Sequence, residues 1–391
     1  MSTVNHKSAR PQILLAQRGD IELYPPVLHQ AGILRELGDV TIVDAGPRGS
    51  TLATHPDVNR IRVTEGGRLG SSVARVLKLF QFRKTVRRQI ERGYDIVIAF
   101  DAEAAAAVLE VAPEYPDCKV VVHLHEDLDL ASWSGSRSTM WAIRKMLVNI
   151  DRATLVVAAD SHRAERVRAA VGGRVEVITV MNCPRLLTTI PESRLLLLIR
   201  QRGIEGAPIV HYQGAVGPDH GLEVIIKSMP RWPANAILCV VGRGSESYVA
   251  GLTALAAECG VARRLVFLGK VPYDQIMSLA SAATIGITIL DTTRDNWKYA
   301  AGASNKRFEY AALGIPQVTN RGPGIDELFV DTGIALTADH TSAESVGRKV
   351  LYYLEHPEAR SVAGARARQL HLSAYNYENE FAPVLRRLNL G

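Results

Sequence analysis

Cysteine is scarce and scattered in this chain of 391 residues. There are four cysteines, and none of them is spaced as a pair of metal ligands. Cys118 and Cys239 lie in or beside apolar runs, so we expect them to be buried thiols. This usage fits a protein of a reducing compartment.

Long apolar runs are also lacking. The longest run of large aliphatic side chains (Leu, Ile and Val), residues 195–199, is far shorter than the roughly 18 apolar residues of a membrane-spanning helix. The first residues lack the order of a signal peptide, because the apolar stretch 13–16 is followed at once by Gln17, Arg18 and Asp20. We therefore expect a cytoplasmic protein, with association to a membrane surface left open.

Positive charges only slightly outnumber negative charges. The formal net charge is +6, with 47% hydrophobic and 22% charged residues, which is typical of a soluble globular protein. This charge is compatible with anionic substrates such as nucleotides and with an anionic membrane surface, and it favours neither. The length exceeds what one hydrophobic core usually supports, so two domains are expected.

What the sequence does contain is a repeated alternation of short apolar runs and helical patterns. This alternation is typical of parallel sheets with crossover helices. In the first half it predicts strands at 12–16, 40–44, 96–100, 119–125, 154–159 and 175–180, and helices at 26–37, 73–92, 102–111, 140–151 and 163–171. It then restarts, with strands at 209–212, 236–241, 264–268, 283–289 and 316–320, and helices at 222–229, 248–259, 273–281, 305–313 and 343–354.

The predicted fold class is therefore α/β, with two Rossmann-like, doubly wound domains. The first domain is predicted over 1–183 and the second over 209–370. Between them, 184–208 is a polar linker punctuated by prolines, and 371–391 contains the last helix.

The segment 303–316 carries the clearest chemical pattern. Ser304 is placed to cap a helix whose first turn contains Lys306, and a capped helix start with a nearby cation suits a diphosphate. Glu309, about one turn further on, is placed to accept hydrogen bonds from vicinal hydroxyls such as those of a ribose. The alternative is an ordinary crossover helix with a solvated pair formed by Lys306 and Arg307.

Residues 305–316 closely resemble the Asn-Lys-x-Phe-Glu-Tyr-x-x-x-Gly-x-Pro signature of family 4 retaining glycosyltransferases. Further landmarks of that family follow in its order at 212–214, 221–223, 240–244, 267–272 and 322–328. The resemblance covers roughly 209–355. The first half is similar only through Gly19, after the first strand, and His125, after the fourth.

The resemblance implies a GT-B fold, in which two Rossmann-like domains face a central cleft and the last helix crosses back to the first domain. It implies a hexosyltransferase-like enzyme that moves a sugar from a nucleotide-sugar donor to a hydroxyl-type acceptor. The sugar would keep its anomeric configuration. No metal ion or other cofactor is expected.

The resemblance also assigns roles to single residues. Catalytic roles fall to His125, at the floor of the cleft, to Lys306, near the diphosphate, and to Glu309, on the ribose. Lys270 and Val271 would border the nucleobase. The full set of positions expected around the donor is Gly19, Gly214, His220, Arg243, Lys270, Val271, Lys306, Glu309, Gly324 and Ile325.

The sequence departs from the family pattern in two places. The partner glutamate that precedes Glu309 is Ala301, and the basic pair after the first strand of the second domain falls at Ala215 and His220. A protonated His220 is one replacement for the lost charge; Lys306, Arg307 and Arg243 are others. These departures keep open a relative that binds sugar nucleotides, or serves as a scaffold, without turnover.

Two further patterns have rival interpretations. Asp127 and Asp129 are spaced like the metal-binding pair of GT-A enzymes, which would make the protein a metal-dependent transferase. The basic stretch 73–92 carries an apolar stripe of Leu79, Phe82, Val86 and Ile90. It is either a surface helix packed by that stripe or a peripheral membrane contact.

Nucleic-acid binding is not expected. The acceptor, the donor sugar, the base and the oligomeric state stay open.

Overall fold

The computed structural model describes residues 10–45, 58–63, 72–128, 137–196 and 206–390. Within these residues the chain forms two compact units. The first unit belongs to Met1–Val180 and Phe381–Gly391, and the second to Met181–Glu380.

The first unit is built on a parallel sheet whose described strands have the order β3-β2-β1-β4-β5-β6-β7. These strands are β1 (Gln12–Gln17), β2 (Asp39–Asp44), β3 (Asn59–Arg62), β4 (Ile96–Phe100), β5 (Lys119–Leu124), β6 (Leu155–Ala158) and β7 (Val177–Thr179). The helices are Pro25–Leu37, Ser72–Ile90, Asp101–Val111, Arg137–Val148 and Ser161–Val171. Parallel neighbours need crossover connections, and described helices lie between β1 and β2 and between each pair of successive strands from β3 to β7.

The second unit repeats this plan with the order β10-β9-β8-β11-β12-β13. Its strands are β8 (Ile209–Gln213), β9 (Ile237–Val241), β10 (Leu265–Gly269), β11 (Ile285–Thr288), β12 (Gln317–Asn320) and β13 (Ala335–Ala338). Its helices are Leu222–Ser228, Glu246–Glu258, Tyr273–Ala280, Asp295–Lys298, Asn305–Ala312, Ala343–Glu355 and Pro357–Ser373. The prediction of two Rossmann-like units is confirmed.

Both faces of the second sheet are buried. Val210 and Val240 pack into one apolar cluster, whereas Ile209 and Val241, their neighbours along the strands, pack into another. Side chains alternate across a strand, so this pattern means that apolar groups cover both faces. A strand buried on both faces needs a continuous apolar run, and for that reason these strands can be predicted from the sequence.

The strand order fixes where a ligand site is expected. In the first sheet the order reverses between β1 and β4, and in the second between β8 and β11. Ligands of open α/β sheets bind in the crevice outside the carboxyl ends of the strands at such a switch point. We therefore expect the residues that follow β1 and β8 to contribute to a ligand site.

Every predicted strand overlaps an observed one, but two strands and one long helix are absent from the predictions. β3 has the sequence Asn-Arg-Ile-Arg and lies half-buried at the edge of its sheet. β13, Ala335–Ala338, is a short edge strand without a β-branched run. The helix Pro357–Ser373 begins with a proline, which the first turn of a helix tolerates.

The basic helix Ser72–Ile90 packs its apolar stripe into the core. Leu79, Phe82, Val86 and Ile90 are all buried. This is the arrangement of an ordinary surface helix, and the membrane contact stays a prediction. Among the described residues, no helix is both long enough and apolar enough to cross a bilayer.

The last helix, Tyr377–Leu388, joins both units along the chain. Its first turns belong to the second unit, where Glu380 accepts a hydrogen bond from the Met181 backbone at 2.8 Å. Its last turns belong to the first unit, where Lys119 Nζ donates to the Leu388 carbonyl at 2.9 Å. Arg387 Nε also donates to Glu176 there, at 2.8 Å. The first unit is therefore discontinuous in sequence.

Replacing Gly286 by alanine should destabilise the second unit. A Cβ at this position of β11 would lie 2.4 Å from the ring of Tyr310, and that ring is anchored by a hydrogen bond from its hydroxyl to the His211 carbonyl at 2.7 Å. Overpacking of this kind costs about 1–3 kcal/mol. Urea unfolding followed by circular dichroism measures the change.

Gly251→Ala is the matched control. Gly251 lies in the helix Glu246–Glu258 with no atom within 4 Å of an added Cβ, so alanine should stabilise by about 0.5–1 kcal/mol. A Gly286→Ala protein as stable as the Gly251→Ala protein would contradict this account of the packing.

Candidate functional site

Two loops of the second unit meet backbone to backbone at the ends of β8 and β9. Gly214 has a φ of 124° and Gly242 a φ of 154°. A Cβ on Gly242 would lie 1.7 Å from the Gly214 carbonyl oxygen, so glycine is required there. The Val216 N–H donates to the Arg243 carbonyl at 2.9 Å and fastens the two loops together.

Lys306 reaches into the space that Gly214 leaves open. A Cβ on Gly214 would lie 2.8 Å from Lys306 Nζ, and the same Nζ lies 4.2 Å from the centre of the Tyr212 ring. The Nζ is buried and has no hydrogen-bond partner within the described parts of the chain. Burial, followed by the charge of Arg307, lowers the pKa of Lys306 to about 7.

Glu309 lies one turn further along the same helix and is buried. Its carboxylate accepts hydrogen bonds from Gln213 Nε2 and from the Tyr273 hydroxyl, the second at 3.1 Å. Burial raises the pKa of Glu309 above its ordinary value, against the opposing effect of these two donors and of Lys306. The carboxylate is therefore held in one place, close to the end of β8.

His220 follows the same loop and is neutral at pH 7. Burial, followed by the charge of Lys306, lowers the pKa of His220 to about 3. Its ring packs edge-on against Trp297 with centroids 4.9 Å apart. The next residue, Gly221, is so close to Ile289, directly after β11, that a Cβ would lie 2.6 Å from the Ile289 carbonyl oxygen. A protonated His220 is therefore not part of this site before an anion binds.

Arg307 is a structural residue. It is fully buried, and its guanidinium donates to Thr319 Oγ1 at 3.0 Å, to the Ala300 carbonyl at 2.7 Å and to Asn320 Oδ1 at 2.9 Å. The interpretation of 306 and 307 as a solvated pair is therefore wrong. Arg307 is also not available to replace a missing phosphate contact.

The Ser304 side chain makes no capping hydrogen bond, although the residue does occupy the cap position of the helix Asn305–Ala312. The helix is instead fixed by Arg307 and by the neighbours of Glu309. The expectation that the Ser304 hydroxyl caps this helix is therefore wrong.

The other predicted donor positions of the second unit lie around its loops. Arg243 and Lys270 are exposed, whereas Val271 is partly buried against an apolar cluster. Gly324 has a φ of 75° and precedes the buried Ile325, at the start of a short π-helical turn. Neither Arg243 nor Lys270 forms an ion pair with another residue that the structure describes.

The two alanines that depart from the family pattern, Ala301 and Ala215, lie in different surroundings. Ala301 is 1% exposed in an apolar cluster that also contains Cys183 and Phe308. A charged side chain buried in such an apolar cluster costs free energy unless it is paired. Ala215 is exposed, and its carbonyl accepts a hydrogen bond from the Tyr212 hydroxyl.

The first unit brings His125 and Gly19 to the carboxyl end of its own sheet. The His125 backbone N–H donates to Asp101 Oδ1 at 2.8 Å, and its ring Nδ1 lies 3.2 Å from Asp101 Oδ2. Gly19 lies beside Tyr24, whose ring centroid is 5.4 Å from that of His125.

The pair Asp127 and Asp129 is only partly described. Asp127 is buried, and its Oδ1 accepts a hydrogen bond from Arg166 Nε at 3.0 Å. Asp129 lies outside the described residues. The Asp127 carboxylate is thus engaged by an arginine, and the metal-dependent alternative stays a prediction.

Several residues at these two sites are missing from the sequence predictions. Gln213 and Tyr273 hold Glu309, Tyr212 lies under Lys306, and Asp101 holds His125. Gln213 is the last residue of β8, and Asp101 directly follows β4; both strands lie beside a switch point. A polar residue at such a strand end is the sequence feature that would have predicted them as site residues.

Residues 225–386 match a family model described as Glycosyl transferase-like. The GDP-mannose-dependent alpha-(1-6)-phosphatidylinositol monomannoside mannosyltransferase of Mycolicibacterium smegmatis is 23% identical over 202 residues, covering 51% of this chain and 52% of that protein. The Mycobacterium tuberculosis protein of the same description is 26% identical over 182 residues, covering 46% of each. The chain thus spans about half the length of these curated relatives.

Solved structures resemble nearly the whole chain. Anabaena HepE in complex with UDP-glucose has a TM-score of 0.75 at 16% identity, covering 97% of this chain and 99% of that one. WaaG, a glycosyltransferase involved in lipopolysaccharide biosynthesis, has a TM-score of 0.69 at 15% identity, covering 96% and 99%. These likenesses show the fold, which is that of GT-B glycosyltransferases.

The buried Lys306 should make stability depend on pH. Its pKa is about 7 in the folded protein against an ordinary 10.5, so the cost of burying the charge is fully present below pH 7. Between these two values the unfolded chain binds a proton that the folded chain does not, so the stability of the wild type should rise with pH. Relative to Lys306→Met, the free energy of unfolding should therefore increase from pH 7 to pH 10.

Urea unfolding of both proteins at several pH values measures this difference. Lys227→Met, at an exposed position, is the control and should follow the wild type at every pH. A constant difference between the wild type and Lys306→Met would exclude a depressed pKa at this position.

Proposed function

We propose that this protein is a retaining glycosyltransferase that moves a sugar from a nucleotide-sugar donor to a hydroxyl acceptor without a metal ion. The observation that carries the proposal is the buried Lys306 ammonium beside Gly214, with the Glu309 carboxylate one helical turn away. Both groups lie at the end of β8, beside the switch point of the second sheet.

The donor diphosphate would bind at the Lys306 ammonium and along the glycine loops. Backbone groups at Gly214 and Gly242 lie close together with no side chain between them, which suits a polyanion that must approach the main chain. Lys306 Nζ lacks a hydrogen-bond partner among the residues described, so a phosphate oxygen would supply one. A bound anion would also raise the pKa of Lys306 and keep it protonated.

The ribose would bind at Glu309. Gln213 and Tyr273 fix the carboxylate before the ligand arrives, and its remaining lone pairs would accept hydrogen bonds from a pair of hydroxyls. Such preorganisation reduces the ordering cost of binding. Exposed Lys270 and the half-buried Val271 would border the base.

The chemical step would be mostly electrostatic. Breaking the anomeric bond places negative charge on the diphosphate, and Lys306 would stabilise it where water is largely excluded. For retention, the acceptor hydroxyl would attack from the face of the leaving group and give its proton to the departing phosphate oxygen. In the first unit, His125 would bind a hydroxyl of the sugar or of the acceptor.

The relatives suggest which donors to test first. The mycobacterial relatives are described as GDP-mannose-dependent, and HepE is described in complex with UDP-glucose. GDP-mannose and UDP-glucose are therefore our leading donor candidates. The lipid acceptor named for the mycobacterial relatives makes a lipid-linked sugar the first acceptor class to examine, with the basic helix Ser72–Ile90 as the candidate membrane contact.

A second function is a sugar-nucleotide-binding protein without turnover. Ala301 is packed in an apolar cluster where the family has a glutamate, and His220 is neutral where the family has a cation. These two observations favour weakened catalysis, whereas Lys306 and Glu309 would still bind the nucleotide. Affinity without product distinguishes this function from the transferase.

Thermal unfolding with nucleoside diphosphates tests the donor site. Uridine, guanosine, adenosine, cytidine and thymidine diphosphates are each added in EDTA and with Mg²⁺. A ligand at 100 times its Kd stabilises by about 2.7 kcal/mol, a shift of several degrees. We expect one base to raise the Tm in EDTA, and Glu309→Ala to abolish that shift.

Glu258→Ala, at an exposed position on a helix of the same unit, is the control and should keep the shift. Stabilisation that requires Mg²⁺ and survives Glu309→Ala would move the site toward Asp127. Absence of any shift would remove the donor-site assignment and leave the fold alone.

Turnover of the donor tests the chemistry. With GDP-mannose or UDP-glucose in EDTA and water as the acceptor, we expect release of the nucleoside diphosphate together with the free sugar. Lys306→Met should lower kcat by about 10²–10³-fold because a charge contact of the transition state is lost. Lys227→Met should retain the wild-type kcat. Early proton NMR spectra should show the first-formed sugar with the anomeric configuration of the donor.

An inverted anomer would contradict retention, and a requirement for a divalent ion would contradict metal independence. Binding of the donor without release of product by the wild type would favour the non-catalytic alternative.

A further inference from the structure

A carboxylate and a histidine are locked together at the carboxyl ends of β4 and β5 in the first unit. Asp101, directly after β4, accepts the His125 backbone N–H on Oδ1 at 2.8 Å. Its second oxygen, Oδ2, lies 3.2 Å from the ring nitrogen Nδ1 of His125. One carboxylate thus contacts the main chain and the side chain of the same residue.

Asp101 is held in an unusual backbone conformation to make these contacts. Its φ is +60°, in the left-handed region that residues other than glycine rarely adopt. Such conformations persist where the surrounding structure holds them, and they cluster at functional sites. Here the two contacts to His125 hold the residue. Aspartate is one of the few side chains that tolerate this region.

The His125 residue is immobilised at almost every polar atom. Its carbonyl accepts a hydrogen bond from Arg163 Nη1, while Asp101 engages its N–H and Nδ1. The ring stacks on Phe100 with centroids 5.3 Å apart and an interplanar angle of 3°. The other ring nitrogen, Nε2, is buried and has no hydrogen-bond partner in the described part of the chain.

The charge state of Asp101 decides which ring nitrogen carries the proton. Burial raises the pKa of the Asp101 carboxyl, but the contacts with His125 outweigh it and lower the pKa below its ordinary value. An ionised carboxylate only accepts hydrogen bonds, so Nδ1 must be the protonated nitrogen. In a neutral ring Nε2 then has a free lone pair that accepts a hydrogen bond.

We propose that Asp101 is a positioning residue that holds His125 as the Nδ1–H tautomer, so that His125 Nε2 accepts a hydrogen bond from a substrate hydroxyl. The ligand class is an alcohol or sugar hydroxyl, and this part rests on the proposed function. The tautomer rests only on the contacts within the first unit. No bond is made or broken in this step, because the histidine orients the hydroxyl and keeps its own proton.

Nitrogen NMR of protein labelled with ¹⁵N-histidine measures the tautomer directly. His125→Gln assigns the His125 signals, and the buried His123, whose Nδ1 is bound by Gln30 at 2.7 Å, serves as an internal reference. The wild type should show a protonated Nδ1 and an unprotonated Nε2 at His125. A wild-type protein with the proton on Nε2 would overturn the proposal, whatever the activity of any variant.

Asp101→Asn keeps the shape of the side chain and tolerates the same backbone conformation, but its amide can donate to Nδ1. We expect the His125 signals to invert to the Nε2–H tautomer while those of His123 stay unchanged. The kcat/KM for the donor should fall about tenfold, as for the loss of one neutral hydrogen bond. Unchanged signals with unchanged kcat/KM would refute the role of Asp101.

Asp101→Gly separates the carboxylate from the backbone. Glycine adopts a φ of +60° without strain, so it keeps the main-chain path and removes the carboxylate. Its kcat/KM should fall at least as far as that of Asp101→Asn, whereas the exposed control Asp117→Asn should match the wild type. Wild-type turnover by Asp101→Gly would mean that only the backbone matters. If the wild type transfers no sugar, the proposed function fails, and the tautomer measurement still decides the structural claim.

Discussion

The candidate site of the second unit is arranged around one lysine side chain whose amino group is held out of water at a cost in stability. Lys306 Nζ lies against the Tyr212 ring and in the space beside Gly214, and neither neighbour neutralises its charge. Burial brings the pKa of Lys306 to about 7 and raises that of Glu309, so both groups lose part of their preference for the charged state. A bound anion would reverse this effect for the lysine. Proton uptake would then be coupled to ligand binding at this position.

Much of this site is visible in the sequence, and the reason is local. Lys306 and Glu309 share one helix, and Gly214 and Gly242 end strands that are buried on both faces. The burial of Arg307 could not be predicted, because its guanidinium is held by Thr319 and Asn320 on β12, 12 and 13 residues further along the chain. Asp101 was missed for a similar reason. A left-handed φ at a residue that is not glycine arises from tertiary contacts and leaves no pattern along the chain.

The two units share one strand order but display different polar groups. Each sheet reverses its strand order at one place, and polar groups gather at the carboxyl ends of the strands beside it. In the second unit these groups are a lysine and a glutamate, and in the first a histidine held by an aspartate. The scaffold thus fixes where polar groups are displayed, whereas the loops decide which groups they are.

The discontinuous first unit affects the order in which the protein is completed during synthesis. Domains usually fold from the N-terminus as the chain emerges from the ribosome. Here the groups that engage Lys119 and Glu176 belong to residues 387 and 388, which are made after the whole second unit. The unit that starts first is therefore finished last. A fragment that ends at Val180 lacks part of its own structure, so the tail must be supplied before the first unit is studied alone.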